Sequence, residues 1–352
     1  METVLDLAAM GRGTAFPNPM VGAVVLKDGV MLASGWHRGC GSPHAETCAL
    51  AGAGGGAAGA EMFVNLEPCR HHGRTGPCVA EIIRAGISCV HVAMLDPDPR
   101  MRGGGVEELR SAGVRVEVGL LADRASELNR AYVHFKETGR SFTRLKLAVS
   151  LDGRVAAGDR SSRWITSPPA REEVGRMRAE ADAIMVGAGT AVTDDPSLLP
   201  PEWCSRRPVR IVVSSDGRLP AGLKVFDGSA PTLVVLPGGV RAEIPATARS
   251  LEVPSRDGRP DLRALLEATA GEGMGEILCE GGASLATSLL RQGLADRLCV
   301  LTAPLLIGGD GVAALGPLGV ESVGEALRVE AVRRSFLGDD VLLEGRVVHR
   351  TG

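Results

Sequence analysis

Aromatic side chains are scarce: three Trp, one Tyr and six Phe among 352 residues. The chain therefore lacks the stacking platforms on which single-stranded nucleic acid is held, and its cores must be packed with Val, Leu, Ile and Ala. It also lacks a charge excess, with a net charge of −3 and both signs interspersed. Nucleic-acid and membrane-surface proteins usually carry a basic excess, so neither partner is expected. No apolar run approaches the roughly 18–20 residues of a spanning helix. The opening "METVLDLAAMGRG" has Glu2 and Asp6 and no basic start, so no leader peptide is expected. Eight cysteines are too few for a disulfide scaffold. They predict a reduced, cytoplasmic protein whose cysteines are buried or metal-bound.

What is present is alternation. Length alone suggests about two domains. "MVGAVVLKDGVMLASGW" reads as a hairpin around Asp28-Gly29. "HAETCALAGAG" reads as a helix behind Pro43, "EMFVNL" as a strand, and "CVAEIIRAG" as a helix behind Pro77. Strand "ISCVHVAM", helix "VEELRSAG" and strand "VRVEVG" follow. "LADRASELNRAYVHFKE" reads as one longer amphipathic helix with Leu121, Ala125, Leu128 and Tyr132 on one face. The Gly/Ala run at 51–60 is expected to be a flexible connection. The polar break "ETGRSF" at 137–142 divides the chain into 1–141 and 142–352. Beyond it come strand 144–149, helix 168–180, strands 183–187, 209–213 and 232–236, helix 261–269, strand 276–280, helix 283–292, strand 297–302 and a strand near 340–348. Such alternation implies α/β architecture with mainly parallel sheets in both halves.

The densest chemistry lies in "LEPCRHHGRTGPC". A catalytic zinc keeps three protein ligands and one open position, commonly with His and Cys donors. Upstream stands "PHAE", and H-x-E followed by P-C-x-x-C is the zinc deaminase pattern. Here the second cysteine comes nine positions after the first. This places His44, Cys69 and Cys78 on zinc, with Glu46 as the carboxylate that moves the proton. His44 follows Pro43 and Cys78 follows Pro77, so each opens a helix whose partial positive end favours thiolate. A structural zinc site using His71 or His72, or a ligand role for Cys40, are alternatives. The first leaves "HAE" unexplained, and Cys40 precedes the helix. His71 and His72 are expected at the substrate pocket. Cys48, Cys89, Cys204, Cys279 and Cys299 read as core residues.

In the second half there is no Walker A motif, and "GAGTAV" lacks the third glycine of the dinucleotide fingerprint. "CEGGASLATSLL" is more telling: a strand ends at Glu280-Gly281-Gly282 and a helix starts, a geometry that can hold a pyrophosphate on backbone N–H groups.

The stretches "PNPMVGAVV", "GWHRGCGSPHAE", "NLEPCRHHGRTGPC" and "LDPDPR" resemble the deaminase half of the bacterial bifunctional riboflavin-biosynthesis proteins. "LKLAVSLDGRVA", "SSRWITS", "TAVTDDPSL" and "CEGGASLATSLL" are similar to the reductase half. The resemblance covers nearly the whole chain. It implies a cytidine deaminase-like α/β/α sandwich followed by a dihydrofolate reductase-like α/β domain. It further implies a zinc-dependent deamination of a diaminopyrimidine ribotide, then NADPH reduction of its ribosyl group to ribityl. A homo-oligomer is expected.

Carried over by motif, Asn18 and His37 contact the deaminase substrate, and Arg74 is a cation suited to its phosphate. Ala148, Trp164, Thr190, Asp194, Ser215 and the stretch Gly282, Ala283, Ser284, Leu285, Ala286, Thr287, Ser288 correspond to NADPH positions. Lys146, Ser162, Arg178, Leu198 and Glu280 correspond to substrate positions, and Asp152 is expected at the sheet end facing the cleft. The chain departs from the family pattern at five places. Asp98 stands for an Asn, and its carboxylate repels phosphate; Arg70 stands for a Ser and Gly76 for a Pro. Pro201 stands for an Arg that Arg206 or Arg207 would replace, and Ser214 stands for an Asp. Two other readings remain: a deaminase whose second half binds ligand without reducing it, and a nucleic-acid-editing deaminase.

Overall fold

The computed structural model describes residues 1–70, 76–99 and 101–349. The chain divides into two compact units, Met1–Gly139 and Arg140–Gly352.

The first unit runs α1 (Glu2–Ala9), β1 (Gly22–Lys27), β2 (Val30–Trp36), α2 (Ala45–Ala53), β3 (Glu61–Leu66), α3 (Cys78–Arg84), β4 (Cys89–Met94), α4 (Gly104–Ser111), β5 (Arg115–Val118), α5 (Ala122–Leu128) and α6 (Arg130–Thr138). The sheet order is β2-β1-β3-β4-β5. The β1–β2 pair is antiparallel across Asp28-Gly29, both at positive φ, as a tight two-residue hairpin turn requires. From β3 to β5 the strands are parallel. Alternate strand residues Met62, Val64, Val90, Val92 and Val116 face Ala45, Ala49, Val79, Ile82, Val106 and Leu109 of α2, α3 and α4. On the opposite face, Ala93 meets Leu5 of α1 and Ala125 of α5. The result is an α/β/α sandwich. Small residues set the spacing: a Cβ on Gly35 of β2 would lie 2.6 Å from the Ala45 carbonyl oxygen, so α2 rests directly on the strand.

Two expectations for this unit fail. The long helix is interrupted at Asn129, because the Asn129 side chain is drawn to the Met20 backbone, with Oδ1 accepting from Met20 N at 2.8 Å and Nδ2 donating to Met20 O at 2.9 Å. The Gly/Ala run is not a loose connection. It finishes α2, makes a short 3₁₀ turn and buries Ala57 and Ala60 in the core.

The second unit runs β6 (Phe142–Ser150), β7 (Arg154–Ala156), α7 (Pro168–Glu180), β8 (Ala183–Gly187), α8 (Ala188–Asp194), β9 (Val209–Val213), β10 (Thr232–Pro237), β11 (Ala248–Val253), β12 (Ser255–Arg256), β13 (Arg259–Pro260), α9 (Leu262–Gly271), β14 (Glu276–Gly281), α10 (Ala283–Arg291), β15 (Arg297–Ala303), β16 (Val312–Ala313), β17 (Arg328–Leu337) and β18 (Asp340–Val348). Its main sheet has the order β11-β10-β9-β8-β14-β6-β15-β18-β17. It is parallel from β11 to β15 and ends in an antiparallel hairpin. Strands buried on both faces read as unbroken apolar runs, which is why "TLVVLP" is buried throughout. One face is covered by α9 and α10, the other by α7 and α8. The chain order reverses around β14, and open parallel sheets bind ligands at such reversals, beyond the carboxyl ends of the strands. The sequence reading missed α1, α8, the short strands β7, β12, β13 and β16, and the edge strands β11 and β17. β17 is exposed along nearly its whole length, so it lacks the buried face that makes a strand visible in sequence.

Candidate functional sites

In the first unit, three separate elements bring donor atoms together. His44 is the N-cap of α2, Cys69 follows β3, and Cys78 opens α3 behind Pro77. His44 Nδ1 lies 3.2 Å from Cys78 Sγ and 3.4 Å from Cys69 Sγ. Two ligands on a tetrahedral zinc, one nitrogen and one sulfur, stand about 3.5 Å apart, so the spacing suits that ion. The charge state suits it too. The Cys78 thiol, donating to Cys69, holds the Cys69 pKa well below the usual thiol range, while the same contact pushes Cys78 up. One proton is thus shared between two sulfurs, and a divalent cation would displace it. The Cys69 contact also raises His44 against the effect of burial. A second group of donor atoms, Cys89, His91 and Glu117, is an ion network. His91 lies between Glu61 at 2.9 Å and Glu117 at 3.1 Å, and the Arg115 guanidinium donates to Cys89.

Glu46 lies in the first turn of α2 and is almost fully buried; burial, then the Cys69 charge, raises its carboxyl to about 7. Beside it, His37 packs edge-on to His44 with ring centroids 5.6 Å apart. Burial lowers the His37 pKa. Its neutral ring donates from Nδ1 to the Pro43 carbonyl at 3.2 Å, which leaves Nε2 to accept from the Asn18 amide at 3.1 Å. The Asn18 oxygen then stays available as an acceptor. Arg74, His71 and His72 lie outside the described residues.

Three residues missed by the sequence reading hold this site in shape. Asn65 Oδ1 accepts from Gly22 N and its Nδ2 donates to Met20 O. Together with Asn129 it fixes the loop that carries Asn18. The buried Glu67 carboxylate accepts four backbone N–H groups, from Gly105 and Val106 at Oε1 and from Asp96 and Gly103 at Oε2. A buried acid wedged between an apolar strand and Pro68-Cys69 was the available signal. Asp98, read as a repulsive carboxylate, is buried with Lys136 Nζ at 3.4 Å, so its charge is compensated.

The second unit contains a cavity of about 1560 Å³ at the carboxyl ends of β6, β8, β9 and β14. It is lined by Lys146, Ala148, Ser162, Trp164, Arg178, Thr190, Asp194, Leu198, Ser215, Glu280, Gly282, Ala283, Ser284, Leu285 and Ser288. Ala286 and Thr287 are not among the lining residues. Helical periodicity turns Ala286 into the core, and the Thr287 hydroxyl donates to Ala283 O and accepts from Gly316 N. Asp152 also serves elsewhere, accepting from Ser150 Oγ and from the backbone of Ile307 and Gly308.

At the inner end, Glu280 Oε2 accepts from Arg178 Nη2 at 2.8 Å and lies 4.0 Å from Lys146 Nζ. Burial works against the Glu280 carboxylate, but the two cations hold it below the usual range. Burial also lowers Lys146. The Ser162 hydroxyl donates to Asp194 at 2.9 Å. Trp164 is 67% exposed and stacks under Arg171 at 4.5 Å. Gly282, at φ 82°, leaves a cradle that a Cβ would fill, since that atom would sit 2.9 Å from Thr190 Oγ1. With the N-terminus of α10 beside it, this suits a dinucleotide phosphate.

Neither arginine expected to replace the one missing at Pro201 is placed to do so. Arg206 is tied to carbonyls at 179–181 and to Asp182, and Arg207 donates to Cys204 O and Arg206 O. Pro201 packs against α7, where a Cβ on Gly175 would meet its ring at 2.7 Å. Ser214 is buried and its hydroxyl accepts from Gly217 N, a turn-closing bond that an Asp could also make.

Residues 1–94 match the model of the cytidine and deoxycytidylate deaminase zinc-binding region, and residues 141–343 match that of the RibD C-terminal domain. The riboflavin biosynthesis protein RibD of Escherichia coli (strain K12) is 38% identical over 97% of each chain. That of Aquifex aeolicus (strain VF5) is 39% identical over 97% of this chain and 96% of its own. A solved structure from Thermotoga maritima, titled a diaminohydroxyphosphoribosylaminopyrimidine deaminase/5-amino-6-(5-phosphoribosylamino)uracil reductase, has 32% identity. It superposes with a TM-score of 0.87 over 99% of this chain and 97% of its own.

Proposed function

The chain belongs to the RibD family of bifunctional riboflavin-biosynthesis deaminase–reductases, and from that premise we propose how its residues divide the work. Residues 1–141 deaminate 2,5-diamino-6-ribosylamino-4(3H)-pyrimidinone 5′-phosphate. Residues 142–352 reduce the product's ribosyl group to ribityl with NADPH. The observation that carries the first step is the convergence of His44, Cys69 and Cys78 beside buried Glu46.

In the deamination, zinc held by His44, Cys69 and Cys78 supplies the Lewis acidity that makes water a nucleophile near neutral pH. Glu46 does the proton work. With its carboxyl near 7 it can accept the water's proton and return it to the departing amine, so ammonia leaves as the carbonyl forms. His37 and Asn18 orient the pyrimidine, and Arg74 meets the phosphate.

In the reduction, NADPH supplies the hydride. Gly282 and the first turn of α10 hold its pyrophosphate, with Ala148, Trp164, Thr190, Asp194 and Ser215 along its length. Lys146 and Glu280 offer the sugar a donor and an acceptor, Arg178 keeps Glu280 ionised, and Ser162 and Leu198 complete the substrate wall. A coupled assay on the pyrimidine ribotide tests both steps, with ammonia release followed by NADPH oxidation. Absence of ammonia release by zinc-loaded protein sinks the reading. Pro201 favours a second reading, a reductase half that binds without reducing. A phosphate contact far from the carbon receiving hydride is similar in ground and transition states, so its loss raises KM more than it lowers kcat. We therefore expect normal turnover at saturation; no NADPH oxidation at any concentration of deaminated substrate establishes the second reading.

The protein is proposed to work in the cytoplasm as a homo-oligomer. In support of the latter, edge strand β17 leaves Val329, Val332 and Phe336 exposed, and unprotected edges invite pairing. Sedimentation as a monomer at micromolar concentration would refute the oligomer.

A further inference from the structure

The hairpin of β12 and β13 is short and charged. Its turn residues Asp257 and Gly258 both lie at positive φ, 52° and 70°. The register sets Arg256 directly opposite Arg259, so both side chains leave the same face of the ribbon. Like charges in that position destabilise a strand pair. Among the described residues neither guanidinium has a carboxylate partner, and both are exposed. Both line the cavity, and Arg259 Nη1 lies 3.4 Å from Ser284 Oγ in the first turn of α10. Two cations without a carboxylate partner thus stand together on the cavity wall, next to the first turn of α10. Asp257, at the turn between them, also lines the cavity, but the hairpin keeps a net positive charge.

We propose that Arg256 and Arg259 bind the 2′-phosphate of NADPH and so make the reductase half select NADPH over NADH. This rests on the NADPH-dependent reading given above. The pyrophosphate has its own partners in the backbone N–H groups around Gly282 and Ala283, which suit a group lying close against the main chain. A terminal phosphate monoester carries more charge and has three free oxygens. Paired guanidiniums match it bidentately, and the opposed arginines present such a pair. The bound anion also removes the repulsion between them.

The test is equilibrium binding of NADPH, NADH and 2′,5′-ADP to the full chain and to its Arg256→Gln and Arg259→Gln variants, by calorimetry or fluorescence. Each variant should bind NADPH and 2′,5′-ADP roughly ten- to a hundredfold more weakly, the usual effect of a lost charge-assisted bond, and NADH with unchanged affinity. Arg256→Lys should recover part of the loss. Equal weakening for NADPH and NADH would place the arginines on the pyrophosphate and overturn the proposal, as would no weakening for either. If the unaltered protein binds no dinucleotide at all, the reductase reading itself falls, and this assignment with it.

Discussion

Glu46 illustrates how much a single position can carry. It sits in the first turn of α2, buried, two residues from a metal ligand, and its carboxyl is raised to about 7 by burial. Glu46→Gln keeps the volume and removes the basicity. That variant should retain zinc and lose deamination by roughly 10²–10⁴-fold, the span usually assigned to a positioned acid–base group. Rapid deamination by a zinc-replete variant would end the proton-carrier role. The ligand residues behave differently, because metal affinity depends on the whole donor set. His44→Ala, Cys69→Ala and Cys78→Ala should each lower bound zinc well below one ion per chain by metal analysis; normal zinc in Cys78→Ala would remove it from the set. These four residues were legible in sequence because H-x-E followed by two Pro-Cys pairs is close to a zinc deaminase pattern. Arg256 and Arg259 were not, since "SRDGRP" has the turn signal of a hairpin but says nothing of what the hairpin faces. Ala286 and Thr287 do not line the cavity, because the 100° turn per residue of a helix points part of any stretch inward.

At the scale of elements, strands and helices buried on one or both faces were readable, and β3, α7, β8, β9 and β18 fall where their apolar patterns place them. The break at Asn129 and the missed edge strands share a cause: a side chain or a sheet edge overrides local preference. Asn129 breaks a helix whose periodicity runs straight through it, because its amide is committed to Met20. Glu67 shows the same logic at higher stakes. One carboxylate at the end of β3 satisfies the first N–H groups of α4 and the turn at Asp96, and so fixes the strand that leads into Cys69. Glu67→Gln places an NH₂ group against two of those N–H donors, whichever way the amide turns. A buried donor left without an acceptor costs about 1–3 kcal/mol, so the variant should lose about 2–3 kcal/mol in denaturant unfolding of the first unit. It should also bind zinc less tightly. An unchanged unfolding midpoint would mean that the four bonds are replaceable by water.

Over the whole molecule, each unit is built to stand by itself. Among the described residues, the core of the first unit draws on β1, β3, β4, β5 and α2, α3, α4 without a residue from beyond Gly139, and its metal cluster and Glu46 lie in the same unit. Among the described residues, the cavity of the second unit is lined by residues between Lys146 and Ala314. The sequence marks the division through a polar stretch between two independent alternations of strand and helix. It could not mark the way buried Arg140 and Ser141 anchor the start of the second unit, Arg140 on Asp296 at 2.7 Å and Ser141 on Met274 O at 2.7 Å. Those partners are remote in sequence, so local patterning carries no trace of them. A fragment of residues 1–141 should therefore fold cooperatively, bind one zinc and deaminate the pyrimidine ribotide. The expectation follows from domain size as well, since roughly 140 residues can enclose a core sufficient for independent stability. The measurements are zinc content, thermal unfolding by circular dichroism and ammonia release. A fragment that melts cooperatively and holds zinc but releases no ammonia would mean that the second unit completes the deaminase, and the one-unit assignment of that step would have to be abandoned.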